Sequence, residues 1–386
     1  MRYIIFPVIV LLICFFSGCS SFVDDNNHVQ LDSAENERMV LALNTGLSQP
    51  KVAKETLDCQ STHDMKVYCG YKNPEDLVLL PNGKHILVSE MAEFLSDAPG
   101  DLSLLNLETS EKEFLEIDWS RRSTLGDASC PSPNISAFSP HGIDLVRLSD
   151  GTLQLLVVNH GHRESIEFFE VIRLDNRWQL VWRGCAIPPG DPFINDVSAL
   201  KGGGFLATHM WNKTTPFEEV ARKLLSEELS GWVYEWQRDT GFSKVPGSNG
   251  SMPNGIAVSS DNEKIFVNYY FGNKTVKIDR KTGIREGNFW VQQPDNITVD
   301  DEGLLWVASH NNDPIGQTCA LVTVGPCLLP FKIVRADPER MESEVILSQY
   351  GPPMGYATVA LKFGDRFFMG SAHGDRVVSS IIKAGE

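Results

Sequence analysis

The feature that most constrains the fold of this chain is a repeated unit in which polar side chains precede a strand, a tight turn and a second strand. In the clearest copy, Asp295 and Asn296 stand directly before the apolar run Ile297–Val299, and a turn at 300–303 leads to a second apolar run. Six such units begin near residues 75, 141, 195, 254, 295 and 357, at spacings of about 41 to 66 residues. Periods of about 40 to 50 residues are typical of propeller blades.

We therefore predict an all-β fold, a six-bladed β-propeller with four-stranded blades, in which the longer spacings are loop insertions. A β-sandwich is the alternative, but it does not explain why six similar hairpins have polar residues at one fixed end. The chain has 386 residues, of which 42 % are apolar, so a large core is available. Because β-architectures of this length are often one domain, we assign residues 59–386 to a single propeller domain.

One insertion has helical periodicity. The segment Thr215–Glu218 is a capping box with a proline at the first helical position. Apolar residues then follow at helical spacing as far as Leu229. We predict an amphipathic helix from Phe217 to Leu229, packed on the propeller, and a lid over the site or a membrane contact is the alternative role.

The N-terminus has the pattern of a bacterial lipoprotein signal. Arg2 provides a positive charge, and the apolar run after it has about 14 residues, which is too short for a comfortable membrane span. Small residues then precede Cys19. We predict a signal peptide over 1–18, acylation of Cys19, and a lipidated polar tether over 19–58. The domain is then exported and anchored to a membrane by lipid, and an ordinary secretory signal is the alternative.

Cysteine usage agrees with export. Two of the eight cysteines lie in the signal region, and the remaining six are an even number, which favours disulfides in an exported protein. No Cys-x-x-Cys spacing indicates zinc or redox chemistry. The sequence allows several connectivities, and we predict three pairings, two from short loops and one by elimination: Cys59–Cys69, Cys319–Cys327 and Cys130–Cys185.

The polar residues at the starts of the repeats offer oxygen ligands. Equivalent positions of different propeller blades converge on the central axis, so residues distant in sequence become neighbours. Oxygen-only sites favour Ca²⁺. Two carboxylates and three amides match the charge of one such ion and leave room for water or a substrate oxygen. We call these five residues the hub set: Glu75, Asn195, Asn254, Asp295 and Asn296.

A second pair of carboxylates directly follows two members of the hub set. Neighbours in an extended chain point to opposite faces, so Asp76 and Asp196 are expected to face away from the hub set. A buried carboxylate pair without a cation is costly, so this inner pair predicts a second bound ion. The net charge of −16 is compatible with bound cations and argues against a nucleic-acid partner.

Two histidines are candidates for acid–base chemistry. His141 opens the second repeat, and His160 ends the second strand of the same hairpin. Because the strands of a hairpin are adjacent, we expect the two imidazoles to approach each other. One would take a proton from water while the other orients it or relays the proton. His162 follows two residues later, so a His-x-His zinc site is an alternative.

Together and in this order, the segments resemble the paraoxonase/arylesterase family, within the wider gluconolactonase-like and strictosidine-synthase-like propellers. The similarity covers approximately Gly70 to Ser380. The matching segments are Glu75-Asp76-Leu77, Ser139-Pro140-His141-Gly142-Ile143, Val157-Val158-Asn159-His160, Asn195-Asp196, Asn254-Gly255-Ile256, and Asp295-Asn296-Ile297 with Leu305-Trp306-Val307.

The resemblance implies a six-bladed propeller with two Ca²⁺ ions in its central tunnel. It implies that the hub set binds a catalytic ion, and that the inner pair and the backbone carbonyl of Ile143 bind a structural ion. His141 and His160 then match the His dyad of the family. The implied activity is hydrolysis of lactones and aryl esters, with a small-molecule substrate.

The chain departs from the family at the closure of the propeller. Family members tie the N-terminal strand to the last blade with a disulfide, but this chain has no cysteine after Cys327. We therefore expect closure by strand pairing alone. Two other functions stay open: a gluconolactonase-type sugar lactonase with one ion and no His dyad, and a binding propeller that Ca²⁺ only stabilises.

Overall fold

Short runs rich in β-branched and aromatic residues form twenty-five strands in the described part of a computed structural model. The model describes residues 54–91, 98–120, 125–312, 318–319, 322 and 324–382. The signal peptide, Cys19 and nearly all of the tether lie outside these residues and stay predictions, as do the domain bounds.

The strands form six sheets, and the innermost strands of the six contact one another in a closed ring. This confirms the predicted six-bladed propeller with four-stranded blades. Strand β1 (Met65–Cys69) belongs to the sixth blade. From the axis outwards, the first blade contains β2 (Pro74–Leu79), β3 (His85–Glu90), β4 (Asp101–Asn106) and β5 (Lys112–Phe114). Strand β6 (Glu116–Asp118) joins the second blade as a fifth, parallel strand beside β7 (Pro140–Arg147), β8 (Leu153–Asn159), β9 (Ser165–Leu174) and β10 (Arg177–Ala186).

The remaining blades follow the same order from the axis outwards. The third contains β11 (Pro192–Ala199), β12 (Phe205–Asn212), β13 (Trp232–Gln237) and β14 (Gly241–Lys244). The fourth contains β15 (Pro253–Val258), β16 (Lys264–Tyr269), β17 (Lys274–Asp279) and β18 (Arg285–Trp290). The fifth contains β19 (Pro294–Val299), β20 (Leu305–His310), β21 (Phe331–Asp337) and β22 (Glu342–Gln349). The sixth contains β23 (Val359–Phe363), β24 (Arg366–Gly370), β25 (Arg376–Ile381) and β1.

The propeller closes by strand pairing, as expected. Strand β1 pairs antiparallel with β25, with Val67 opposite Val378, so the N-terminal strand completes the last blade. All three predicted disulfides are present: Cys59–Cys69, Cys130–Cys185 and Cys319–Cys327. The first closes a short loop that ends on β1, so it braces the closing strand without linking it covalently to another strand of the sixth blade.

Apolar side chains pack between neighbouring blades. Trp306 and Phe367 are buried with ring centroids 5.6 Å apart, which seals the fifth blade to the sixth. The same cluster includes Met65 and Val67 of β1. The core therefore holds the closing strand through its side chains as well as through its backbone.

Helix α1 (Lys54–Leu57) precedes the propeller, and helix α2 (Phe217–Leu225) is the predicted insertion, shorter than expected. The apolar spacing continues to Leu229, but Glu227 has a left-handed backbone with φ of 55°, a conformation that ends helices. Val220 of α2 is buried in one cluster with Trp211 of the third blade, as the packed-helix interpretation predicts. No helix in the described part of the chain is long and apolar enough to cross a membrane.

Candidate functional site

The five residues of the hub set lie near the starts of four inner strands. Glu75, Asn254 and Asp295 are each the second residue of their strand, directly after a proline. Proline has no N–H to donate to the ladder, and the pairing register shifts immediately after each of these prolines. Such a bulge releases the next side chains from regular alternation. The proline at the start of these strands therefore lets the polar side chains that follow it point towards one end of the propeller.

Side chains from distant repeats meet at this end. The Asn296 amide nitrogen donates to Glu75 Oε1 over 2.7 Å, although 221 positions separate the two residues. The Asn254 amide hydrogen-bonds the carboxylate of Asp295. Asn195 is buried at the start of β11, whose neighbours in the ring are β7 and β15. The structure thus brings the predicted hub set to one end of the inner ring.

Two glycines let the inner strands come this close. A Cβ atom on Gly142 would lie 2.6 Å from Asp196 Cα, and a Cβ atom on Gly255 would lie 2.4 Å from the Asp295 carbonyl oxygen. Real Cβ atoms do not approach backbone so closely, so any side chain at either position would push the strands apart. The glycines that follow His141 and Asn254 in the sequence are therefore required by the packing of the ring.

Four buried acceptor oxygens of the hub set have no hydrogen-bond partner. Such orphaned acceptors are rare in folded proteins and call for a ligand or a bound ion. Carboxylate and amide oxygens are the donors that hard divalent cations prefer. The residues therefore fit a calcium-like ion. The four atoms are Glu75 Oε2, Asn195 Oδ1, Asn254 Oδ1 and Asn296 Oδ1.

In the part of the chain that the structure describes, no basic side chain neutralises the negative charge of the hub set. Burial raises the pKa of Asp295 well above its usual range, and the negative charge of Glu75 raises it further. Within the described residues, neither carboxylate forms an ion pair with a lysine or arginine. His310 Nε2 lies 3.5 Å from Asp295, but burial lowers the pKa of this imidazole to about 3, so it brings no positive charge.

Amide oxygens rather than imidazoles or thiolates make up most of this site. In the described chain, no three His, Cys, Asp or Glu side chains are grouped to hold a metal. The hub set has just two such residues, Glu75 and Asp295, and its other three members are asparagines. A soft or nitrogen-seeking metal is therefore disfavoured relative to an oxygen-seeking one.

The inner pair faces a cavity that the inner strands enclose. Asp76 and Asp196 line a space of about 300 Å³ to which all six inner strands contribute. Burial raises the pKa of both carboxyls; the next cause is the charge of Glu75 for Asp76, and that of Asp76 for Asp196. Each carboxylate also accepts a backbone N–H from the next inner strand, Ile143 for Asp76 and Ile256 for Asp196, at 2.8 Å. This pair has no orphaned oxygen, in contrast to the hub set.

The two predicted histidines contact each other. His141 Nδ1 lies 2.7 Å from His160 Nε2; His141 is buried, and the His160 side chain is 11 % exposed. His141 Nε2 lies 3.6 Å from Glu75 Oε1, which puts this imidazole at the edge of the hub set. His162 is exposed on the protein surface, so the His-x-His alternative has no support from its position.

Two charged residues lie behind the imidazole pair, and neither belongs to the repeated sequence pattern. Glu164 contacts His160 Nδ1 with both carboxylate oxygens, at 2.8 and 3.0 Å. The Lys213 ammonium forms an ion pair with the same carboxylate. The His-x3-Glu spacing across the β8–β9 turn is the one local signal for Glu164, and nothing in the sequence links it to Lys213.

A second hydrogen-bonded chain lies on the opposite side of the hub set. Tyr270 Oη is 2.8 Å from His310 Nδ1 and 3.3 Å from Tyr356 Oη. The Tyr356 ring stacks on His310 with centroids 3.6 Å apart. Because His310 Nε2 lies 3.0 Å from the Ala357 carbonyl, this neutral imidazole donates there and accepts from Tyr270. The site thus has an aromatic wall beside Asp295 that the sequence did not reveal.

The chain is similar in sequence to a known protein family. The arylesterase family model matches residues 62–374. Serum paraoxonase/arylesterase 1 of Mus musculus is 28 % identical over 250 residues, which cover 62 % of this chain and 66 % of that protein. Serum paraoxonase/arylesterase 2 of Gallus gallus is 27 % identical over 252 residues, with the same coverage. The chain therefore spans just under two thirds of the length of these relatives.

Solved structures share the fold. A luciferin-regenerating enzyme has a TM-score of 0.50 and 14 % identity, with 82 % of this chain and 93 % of that chain covered. A gluconolactonase from Xanthomonas campestris has a TM-score of 0.50 and 13 % identity, with 87 % and 95 % covered. At such identities the similarity shows the propeller fold alone.

Asp295→Asn is expected to stabilise the protein in the presence of a chelator. The native pKa of Asp295 is raised above its ordinary 3.8, so stability that is complete below that value is lost as pH rises through the native pKa. The amide removes this loss. We expect a gain of about 1 to 3 kcal/mol in the free energy of unfolding, growing as pH rises above 3.8.

Urea unfolding with and without added Ca²⁺ measures this effect. With Ca²⁺ the wild-type protein should be more stable than the variant, because the variant has lost a charged ligand. Asp239→Asn, on the surface, is the matched control and should change neither condition. Destabilisation of the chelated protein by Asp295→Asn would contradict the account of an uncompensated buried charge.

Proposed function

The chain belongs to the arylesterase family, and on that premise we propose that it is a Ca²⁺-dependent hydrolase of lactones and aryl esters. One observation supports this most strongly. A buried set of oxygens with two carboxylates and four orphaned acceptors stands beside a contacting pair of imidazoles. A site for an oxygen-seeking ion next to a base is what ester hydrolysis by a metal requires.

In this proposal the hub set holds the catalytic ion. The inner pair and the carbonyl oxygen of Ile143 hold a second, structural ion, which would relieve the repulsion between Asp76 and Asp196. When bound, the catalytic ion supplies a Lewis acid that polarises the ester carbonyl and stabilises the negative charge that develops on its oxygen.

The base in this proposal is His141. Its Nε2 faces the hub set, 3.6 Å from Glu75 Oε1, so a water between substrate and imidazole would lie within its reach. As that water bonds to the carbonyl carbon, Nε2 takes its proton. The carbon–oxygen bond to the leaving group then breaks, and the proton on His141 is available for the leaving oxygen. The contact with His160 supports this function over that of a sugar lactonase with no His dyad.

The side chains around the pair suit an apolar or aromatic substrate. Phe193 stacks on His160 with centroids 4.8 Å apart, and Trp211 stacks on Phe193 at 5.1 Å. Across the hub set lie the rings of Tyr270 and Tyr356. Aromatic walls on two sides offer area for an aryl ester or an apolar lactone and little for a sugar.

A panel of lactones and aryl esters, assayed with and without chelator, tests the proposal. We expect hydrolysis of at least one class, loss of that activity on chelation, and recovery on adding Ca²⁺. His141→Gln should lower turnover by about 10² to 10⁴, because the base is gone, while calorimetry still detects Ca²⁺ binding.

His162→Gln is the matched control, since this exposed imidazole touches neither the hub set nor the pair in the described structure and its loss should leave turnover unchanged. Activity that survives both chelation and His141→Gln would refute the mechanism. A fold that Ca²⁺ stabilises without hydrolysis of any substrate would instead favour the binding propeller.

We also propose that Cys19 anchors the protein to a membrane by lipid. The three disulfides support an oxidising compartment outside the cytoplasm. Mass spectrometry of the mature N-terminal peptide should find an acylated cysteine at this position. An unmodified N-terminus at another residue would rule out the anchor and indicate an ordinary secretory signal.

A further inference from the structure

A buried carboxylate stands at the far nitrogen of His160, and all of its neighbours are donors. The Glu164 side chain is 7 % exposed, and both of its oxygens contact His160 Nδ1. Oε1 also accepts from the Lys213 ammonium, and Oε2 accepts the Ile194 N–H over 3.1 Å. Only a group that accepts on both oxygens satisfies three donors in this geometry.

The carboxylate is ionised and the imidazole beside it is neutral. Burial alone would raise the pKa of Glu164, but His160 and Lys213 beside it outweigh that effect and hold the pKa below its usual range. Burial lowers the pKa of His160, against the opposing charge of Glu164. The contact is therefore one between a carboxylate acceptor and a neutral N–H donor.

We propose that Glu164 is the positioning residue of this site, fixing which nitrogen of each imidazole bears the proton. An ionised carboxylate only accepts, so His160 carries its proton on Nδ1 and has a lone pair on Nε2. That lone pair faces His141 Nδ1 at 2.7 Å, so His141 donates from Nδ1. A neutral His141 then has its lone pair on Nε2, the nitrogen that faces the hub set.

The inference rests on the proposed function, because a base on that nitrogen matters only if water is to be activated there. In the opposite tautomer His141 Nε2 would carry a proton and could not accept another. The proton from water forms one new N–H bond at Nε2, and the positive charge on the pair is balanced by the carboxylate behind it. Glu164 keeps its own protonation state throughout, as an orienting carboxylate does.

The packing around His160 holds the ring in the required orientation. Phe193 stacks on its face at an angle of 18°, and the Lys213 ammonium lies 5.1 Å from the Phe193 ring centroid. The His160 backbone N–H donates to the Ser139 carbonyl. A ring flip would break both imidazole hydrogen bonds, and the stacking on Phe193 restricts rotation of the ring out of its plane, so apolar contacts help to maintain the orientation that Glu164 sets.

Nitrogen-15 NMR of the histidine-labelled, Ca²⁺-loaded wild-type protein tests the proposal directly. The His160 signals, assigned with His160→Gln, should show a protonated Nδ1 and an unprotonated Nε2. The reverse pattern would overturn the proposal, and this measurement needs no variant of Glu164 to fold.

Glu164→Gln adds the kinetic test. Its amide would turn an NH₂ group toward one of three donors, so we expect His160 to lose its single tautomer and kcat to fall by about 10² to 10⁴ with KM little changed. His162→Gln is the matched control, since this exposed imidazole contacts neither Glu164 nor the histidine pair in the described structure, and the tautomer should persist. An unchanged tautomer in Glu164→Gln, or the same loss in His162→Gln, would overturn the role of the carboxylate.

The two readouts separate this inference from the proposed function. The predicted tautomer in a protein that hydrolyses no substrate would leave the placement of Glu164 intact and refute the hydrolase. Hydrolysis by a protein whose His160 is protonated on Nε2 would refute the positioning role and leave the hydrolase standing.

Discussion

The structure depends on how two buried carboxylates on the propeller axis are compensated. Glu75 and Asp295 are each at most 6 % exposed, and within the described residues no lysine or arginine pairs with them. Ionised groups in such surroundings are strongly destabilising unless a cation joins them. Three asparagines place orphaned oxygens beside them instead of basic side chains. These buried oxygens fit an oxygen-seeking ion.

The repeat uses consecutive residues for different tasks. At the start of β2, β7 and β11 a bulge frees a polar residue for the axis, and the next carboxylate in the chain reaches across to the neighbouring blade. Asp76 accepts the Ile143 N–H, Asp144 accepts the Ala199 N–H at 2.7 Å, and Asp196 continues the series to the fourth blade. Buried carboxylates thereby connect four successive inner strands by hydrogen bonds. The same groups that place negative charge near the axis also hold the blades in register.

The repeats could be predicted from sequence because equivalent positions of successive blades lie around one axis. That is why Glu75 and Asn296 could be placed together, and why the His141–His160 contact followed from their hairpin. Glu164 and Lys213 could not be placed, because they lie in turns where no period applies and they meet only through the packing of the second blade on the third. The end of α2 was mispredicted because apolar spacing continues to Leu229 after the backbone has left the helical region. The orientation of the imidazole pair follows from the contacts of Glu164 and Phe193 with His160, which become visible only in the structure.

The central claim is that a cation occupies the hub set. Crystals grown with Ca²⁺ and measured at a wavelength where calcium scatters anomalously would test it most directly. The account predicts an anomalous peak between Glu75 and Asp295, coordinated by Asn195, Asn254 and Asn296, with at least one position left to water. No peak at that point, with the carboxylates paired instead to a basic side chain or to each other through a shared proton, would contradict it.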